Sequence, residues 1–179
     1  METYSVPQSL VDLAQELLDE ARKRRLRLVT AESCTAGLVA ATLTEVSGSA
    51  DCVEAGLVVY ANRAKEELLG VPGELLAEHG AVSREVALAM AEGAVARTHA
   101  HVGVSITGIA GPTGGTEAKP VGLVHFACAR QDGGEALHRE ERFGDIGRME
   151  VRTESIRVAL EMMRQRVCET DAPLDEPAR

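Results

Sequence analysis

Segments of strand character alternate with segments of helical periodicity along most of this chain. The expected strands are residues 27–29, 53–60, 102–107, 121–129 and 137–143. The expected helices are residues 10–25, 35–44, 62–69, 83–98 and 148–167. The last two strands are joined by Gln131–Gly134, a hairpin turn signal. This order predicts an α/β protein with a layered sheet that is mixed rather than wholly parallel.

The chain is long enough to bury one full core. It has 179 residues, of which 45% are hydrophobic, and this size is typical of a single domain. Because it has two Phe, two Tyr and no Trp, the core must be aliphatic. We expect one domain over residues 1–168. The polar, proline-containing stretch at 169–179 is expected to be a disordered tail.

The net charge and the cysteine pattern argue against a nucleic-acid-binding protein, a metal-binding protein and a disulfide-stabilised secreted protein. The formal net charge of -9 argues against a nucleic-acid partner, which requires a basic face. The basic cluster Arg22–Arg25 is interpreted as the charged end of the first helix. The cysteines are scattered without a CxxC pair, so no metal site or disulfide framework is expected. The sequence lacks a membrane span and a secretory signal, which predicts a cytoplasmic protein with no membrane partner.

The octet Thr30–Gly37 (TAESCTAG) contains the strongest candidate for a reactive site. It lies between the first strand and the second helix, where a turn would direct backbone N–H groups and the Ser33, Cys34 and Thr35 side chains to one point. Helix N-termini attract anions, so the octet suits either phosphate binding or attack on a carbonyl. A purely local N-cap cluster explains the same residues equally well.

Four polar residues are expected to meet beyond the carboxyl ends of the strands, where ligands of open α/β sheets bind. Ser33, Tyr60, Lys65 and Thr107 all lie at or just after strand ends. A serine attacks an amide only if a base removes its proton. Lys65, if desolvated, is one candidate base, and a histidine is the other. An exposed helical lysine is the alternative interpretation of Lys65.

The glycine-rich loop Gly108–Thr116 follows the third strand. Successive N–H groups in such a loop can form an anion-binding nest, although the segment is neither a P-loop nor a dinucleotide fingerprint. An ordinary surface loop is the alternative. Arg148 and Arg152, at the start of the last helix, could add charge for a phosphate or carboxylate, or could be ordinary surface arginines.

Four sequence blocks resemble the CinA C-terminal domain family. They are TAESCTAG at 30–37, GLVVYANRAKEELLGV at 56–71, GAVSREVALAMAEGA at 80–94 and SITGIAGPTGGTEAKPVGLV at 105–124. The resemblance covers about residues 10–167, and it implies a three-layer α/β/α sandwich with a mixed, mostly parallel sheet. The family's enzymatic members are nicotinamide-nucleotide amidohydrolases, which hydrolyse nicotinamide mononucleotide to nicotinic acid mononucleotide and ammonia in pyridine nucleotide salvage.

The resemblance also implies roles for individual residues. Ser33 would be the nucleophile, with Tyr60 and Lys65 assisting proton transfer. No cofactor or metal is implied, and a homo-oligomer is expected. Many relatives carry a larger domain in front of this one, so the start of this chain resembles the stand-alone form. The residues expected to line the substrate site are Glu32, Thr35, Thr107, Gly108, Gly111, Gly114, Gly115 and Arg148.

Two positions depart from the family pattern. Ala50 stands where many relatives have a hydroxyl near the site, so a role for that hydroxyl does not transfer. Two extra residues, Ile146 and Gly147, precede Arg148, which weakens the transfer of a phosphate contact to that arginine.

One other function and one other nucleophile stay open at this stage. The domain could bind a nucleotide without catalysis, as an accessory to competence or DNA-damage functions. Within the enzyme class, Cys34 could be the nucleophile, because a thiolate at a helix N-terminus is activated.

Overall fold

The structure, a computed structural model, describes residues 5–170. Its helices are α1 (Gln8–Lys23), α2 (Leu38–Thr44), α3 (Asn62–Leu69), α4 (Gly73–His79), α5 (Arg84–Ala96) and α6 (Arg148–Glu169). Its strands are β1 (Leu28–Glu32), β2 (Val53–Val58), β3 (Val102–Gly108), β4 (Leu123–Arg130) and β5 (Leu137–Arg142). The strands occur in the predicted order, so the predicted α/β class is confirmed.

One mixed sheet forms the centre of the described residues, with strand order β2-β1-β3-β4-β5. Strand β1 is parallel to both β2 and β3, whereas β4 is antiparallel to β3 and β5. All the strands therefore run in one direction except β4. The carboxyl ends of β1, β2 and β3 lie together at one edge of the sheet, as the sequence predicted.

Helices cover both faces of the sheet, which confirms the three-layer sandwich. Helices α1, α2 and α6 bury the larger apolar cluster against one face, and α3, α4 and α5 bury the smaller one against the other. Alternation along β3 produces this division, because Val104 and Ile106 face the first cluster while Ser105 donates a hydrogen bond to the Ala87 carbonyl of α5. The core is mostly aliphatic, as composition predicted, and Phe126 is the aromatic residue buried in the larger cluster.

Helix α4 and the end of α6 differ from the sequence expectation. No helix was expected between residues 69 and 83, but α4 lies there, and its N-cap Pro72 fixes the backbone before the first turn. Helix α6 continues to Glu169, and Thr170 is buried. The tail predicted from residue 169 therefore does not begin there, and its residues 171–179 lie outside the described part.

Among residues 5–170, no helix is both long enough and apolar enough to cross a bilayer.

Candidate active site

A cavity of about 360 Å³ lies at the carboxyl ends of β1, β2 and β3. The predicted site residues that line it are Ser33, Tyr60, Lys65, Thr107, Gly108, Gly111, Gly114 and Arg148. The convergence argued from strand ends is therefore observed. Glu32, Thr35 and Gly115 are not among the lining residues.

Ser33 and Lys65 are in direct contact inside this cavity. The Lys65 Nζ lies 3.1 Å from the Ser33 Oγ. Helix α3 places the amine by folding back over the end of β2, where Nζ donates to the carbonyl oxygens of Val59 at 2.8 Å and Tyr60 at 3.1 Å. Only 1% of Lys65 is exposed, so it is not the surface lysine that the alternative interpretation proposed.

Burial weakens the hold of Lys65 on its proton. It lowers the pKa of the Lys65 ammonium, because removal from water penalises the charged state. Within residues 5–170, no carboxylate lies within salt-bridge distance of this amine. The ammonium donates to the Ser33 hydroxyl and to the Val59 and Tyr60 carbonyls. When the amine is neutral, the two carbonyls can accept its two N–H groups, and its lone pair can accept the proton of Ser33.

A sharp turn carries Ser33 out of β1. The Ser33 N–H donates to the Ile106 carbonyl at 2.9 Å, which extends the pairing of β1 with β3 by one residue. The chain then reverses through Ala36 (φ 50°) and Gly37 (φ 96°), both in the left-handed region. This geometry separates the Ser33 side chain from the helix that follows and directs it to the cavity.

Glu32 fixes the start of helix α2 from behind the site. Its carboxylate accepts hydrogen bonds from the N–H groups of Gly37, Val39 and Ala40 at 2.9–3.1 Å and from the Thr30 hydroxyl at 3.0 Å. It is fully buried. The helix start was expected to offer its N–H groups to an anion, but the N–H groups of Gly37, Val39 and Ala40 are bonded to this carboxylate and are not left for a ligand.

The buried environment of Cys34 argues against its use as the nucleophile. Burial raises the pKa of its thiol to about 12. The helix-end N–H groups that would stabilise a thiolate are bonded to Glu32. Cys34 is therefore a protonated thiol at neutral pH.

Tyr60 and Arg148 form the rim of the cavity. The phenol oxygen of Tyr60 lies 3.5 Å from a guanidinium nitrogen of Arg148, and Tyr60 is 60% exposed. Arg148 also donates to the Gly111 carbonyl at 2.7 Å. Lys65 contacts the backbone carbonyl of Tyr60 rather than its phenol. The structure therefore shows no hydrogen bond between the Tyr60 phenol and Lys65 through which Tyr60 could assist proton transfer.

Thr107 connects two elements beside the cavity, whereas Thr35 and Ala50 do not line it. The Thr107 hydroxyl donates to the Ala81 carbonyl at 2.7 Å and so joins β3 to the segment before α5. Thr35 is fully buried, and its hydroxyl oxygen has no hydrogen-bond partner among the described residues. Ala50 lies before β2, at the opposite end of that strand from Tyr60. In this chain it is therefore remote from the cavity.

Sequence reasoning missed the lining residues Ala81 and Val82, whereas Thr113 belongs to the glycine-rich loop that was expected to line the site. Ala81 and Val82 are small and apolar, and they precede the N-cap Ser83 of α5. No chemical signal marks such residues in a sequence. They line the cavity because α4 and α5 bring their connection against β3.

No histidine serves as a base for Ser33 among the hydrogen bonds of the described residues. His125 and His138 stack on each other, with ring nitrogens 3.1 Å apart, and burial lowers the pKa of both. Among the hydrogen bonds of the described residues, none joins a histidine to Ser33. The described residues also contain no group of three or more His, Cys, Asp or Glu side chains arranged to hold a metal ion.

Comparison with known proteins identifies the domain. The model of the CinA C-terminal domain matches residues 10–167. A CinA-like protein of Synechococcus sp. is 50% identical over 153 residues, which cover 85% of this chain and 36% of the relative. A CinA-like protein of Mycobacterium sp. (strain JLS) is 53% identical over 139 residues, 77% of this chain and 32% of the relative. This chain thus spans about a third of the length of these curated relatives.

Solved structures agree with the sequence match. The competence/damage inducible protein CihA of Agrobacterium tumefaciens superposes with a TM-score of 0.87 at 48% identity, covering 90% of this chain and 97% of that one. A competence-damaged protein (CinA) superfamily protein of Escherichia coli gives a TM-score of 0.82 at 32% identity, covering 92% and 95%. The match over nearly the whole described chain shows that this protein belongs to the CinA C-terminal domain family.

Proposed function

We propose that this protein hydrolyses the carboxamide of nicotinamide mononucleotide, yielding nicotinic acid mononucleotide and ammonia for pyridine nucleotide salvage. Ser33 is the nucleophile and Lys65 is the base. The observation that carries the proposal is the buried contact of 3.1 Å between the Lys65 Nζ and the Ser33 Oγ. An uncharged amine in hydrogen-bond contact with a hydroxyl is the arrangement that general-base activation of serine requires.

Acylation begins when neutral Lys65 takes the hydroxyl proton of Ser33. The Oγ then bonds to the carboxamide carbon, and the carbonyl oxygen becomes an oxyanion. When the carbonyl re-forms, the C–N bond breaks and the Lys65 ammonium returns its proton to the departing nitrogen. Ammonia leaves, and an ester joins the nicotinoyl group to Ser33.

Deacylation repeats the same proton transfers with water. Lys65 takes a proton from a water molecule while the water oxygen bonds to the ester carbon. The bond between that carbon and the Ser33 Oγ then breaks, and Lys65 returns the proton to Oγ. The product is the free acid, and both side chains are restored.

The charge and size of the cavity support an anionic mononucleotide as substrate. No carboxylate is among the residues that line it within the described chain, whereas Arg148 places a guanidinium at its rim. This guanidinium suits a phosphate, which arginine can bind through two parallel hydrogen bonds. A volume of about 360 Å³ is near the lower end of ligand pockets, which span roughly 300–1,000 Å³.

Ammonia release from nicotinamide mononucleotide tests the proposal. We expect the wild-type protein to release ammonia and Ser33→Ala to lose at least about a thousandfold in kcat. Cys34→Ser serves as the matched control and retains activity. The opposite result, with Cys34→Ser inactive and Ser33→Ala active, would assign the nucleophile to the thiol.

A nucleotide-binding module without catalysis gives a different result in the same assay. Such a protein would bind the mononucleotide in calorimetry and release no ammonia. That outcome would overturn the amidohydrolase proposal and would agree with the competence and damage descriptions that the similar structures carry.

A further inference from the structure

Arg152 contacts the turn that carries the nucleophile. It lies on α6, one helical turn after Arg148, and its Nε donates to the Cys34 carbonyl at 2.8 Å. This is the only hydrogen bond to that carbonyl among the described residues. Sequence reasoning had grouped Arg152 with Arg148 as a possible anion contact. In the structure, Arg148 lines the cavity and Arg152 is not among the lining residues.

The Ser33–Cys34 and Cys34–Thr35 peptide groups each have a carbonyl oxygen that accepts one hydrogen bond. The Ser33 carbonyl accepts from the Ala36 N–H at 3.2 Å, and the Cys34 carbonyl accepts from Arg152. In a trans peptide the N–H points opposite to the carbonyl. The first bond therefore sets the direction of the Cys34 N–H, and the second sets that of the Thr35 N–H.

The peptide that Arg152 holds is buried. Thr35 has no exposed surface and is not among the residues that line the cavity. From its other side, Glu32 accepts hydrogen bonds from the N–H groups of Gly37, Val39 and Ala40. The turn that carries Ser33 is therefore held by Glu32 and by Arg152, and a catalytic group acts efficiently only if its position is fixed beforehand.

We propose that Arg152 is a positioning residue, which holds the Cys34–Thr35 peptide and so fixes the turn that places the Ser33 hydroxyl against Lys65. This inference rests on the proposed function, since it assigns Arg152 a part in acyl transfer. Arg152 touches no reacting atom. It acts through the Cys34 carbonyl, and the second turn of α6 anchors it.

The test separates positioning from phosphate binding. For Arg152→Met we expect kcat to fall by about tenfold to a hundredfold, the range for misplaced catalytic groups. The factor should be the same with nicotinamide mononucleotide and with its dephosphorylated nucleoside, and KM should change little. Arg152→Lys should recover part of the loss, because an ammonium can still donate to the Cys34 carbonyl. Arg164→Met is the matched control on the same helix, since Arg164 is half exposed and pairs with Glu16.

A second readout keeps the inference independent of the substrate. A fluorophosphonate ester phosphonylates an activated serine: the Ser33 Oγ bonds to phosphorus, fluoride leaves, and Lys65 takes the proton. We expect Arg152→Met to slow this labelling by a factor similar to that for kcat, at an unchanged melting temperature, while Arg164→Met labels like wild type.

Each result has a defined meaning. If the fluorophosphonate labels wild type but no ammonia is released, nicotinamide mononucleotide is not the substrate. The labelling rates of wild type and Arg152→Met would still test the positioning role of Arg152. Labelling of Arg152→Met at the wild-type rate would overturn the positioning role. The positioning role would also be overturned if Arg152→Met raised KM for nicotinamide mononucleotide alone and left kcat unchanged. If wild-type Ser33 is not labelled at all, the serine is not activated and the inference fails with it.

Discussion

The amine of Lys65 gives the clearest residue-scale prediction. Because burial lowers its pKa below the usual 10.5, the neutral, active form becomes populated as pH rises through that lowered value. We therefore expect kcat/KM for amide hydrolysis to increase with pH and to level off before pH 10.5. Steady-state rates between about pH 5 and 10 measure this profile.

Lys65→Arg serves as the control for that profile. A guanidinium stays protonated throughout this range, so the variant should lose about a hundredfold or more in activity at every pH. A rate that does not change with pH in wild type would contradict the assignment of Lys65 as the base.

The phenol of Tyr60 should be nearly dispensable for chemistry. Lys65 contacts the Tyr60 carbonyl, which any residue supplies, whereas the phenol oxygen lies near Arg148. We expect Tyr60→Phe to change kcat by less than about threefold, against the hundredfold or more typical of a lost proton-transfer group. Single-turnover acylation measures this, and a large loss would restore the relay that the family resemblance implies.

At the scale of elements, helix α2 depends on one buried carboxylate. Glu32→Gln keeps the size of the side chain but replaces one accepting oxygen with an NH₂ group that faces N–H donors. We expect a loss of about 3 kcal/mol in the free energy of unfolding, together with reduced activity because the Ser33 turn loses its support. Urea denaturation measures the first effect.

Glu45→Gln is the matched control for Glu32→Gln. Glu45 is exposed and follows the other end of the same helix. Equal stability of the two variants would show that the cap contributes little.

Strand ends could be predicted from the sequence because hydrophobic runs stop where polar residues begin, and parallel strands bring those ends together. Ser33, Lys65 and Thr107 were grouped correctly for this reason. The destination of the Glu32 carboxylate could not be predicted, since it depends on the left-handed turn at Ala36 and Gly37. Helix α4 was missed because Pro72 and Gly73 are poor helix formers whose position at a helix start cannot be distinguished from a loop.

At the scale of the whole molecule, the acidic surface should keep nucleic acid away. A net charge of -9 opposes the release of phosphate counterions that duplex binding requires. We expect no change in the fluorescence anisotropy of labelled duplex DNA at about 50 mM salt, a condition that favours electrostatic binding. Binding that weakens steeply with added salt would contradict this expectation and would favour a role on DNA. The expected homo-oligomer stays a prediction, which light scattering coupled to size exclusion can decide.

Helix α6 carries both Arg148, at the rim of the cavity, and Arg152, which contacts the turn of Ser33. Its first residue, Arg148, reaches the cavity, Arg152 holds the turn of Ser33, and its later turns are buried in the larger apolar cluster. One helix therefore sets the distance between the backbone of Arg148 and the turn that carries Ser33. On the proposed function, we expect amides whose anionic group lies a bond or two nearer to or farther from the carboxamide to react more slowly, whatever ring they carry.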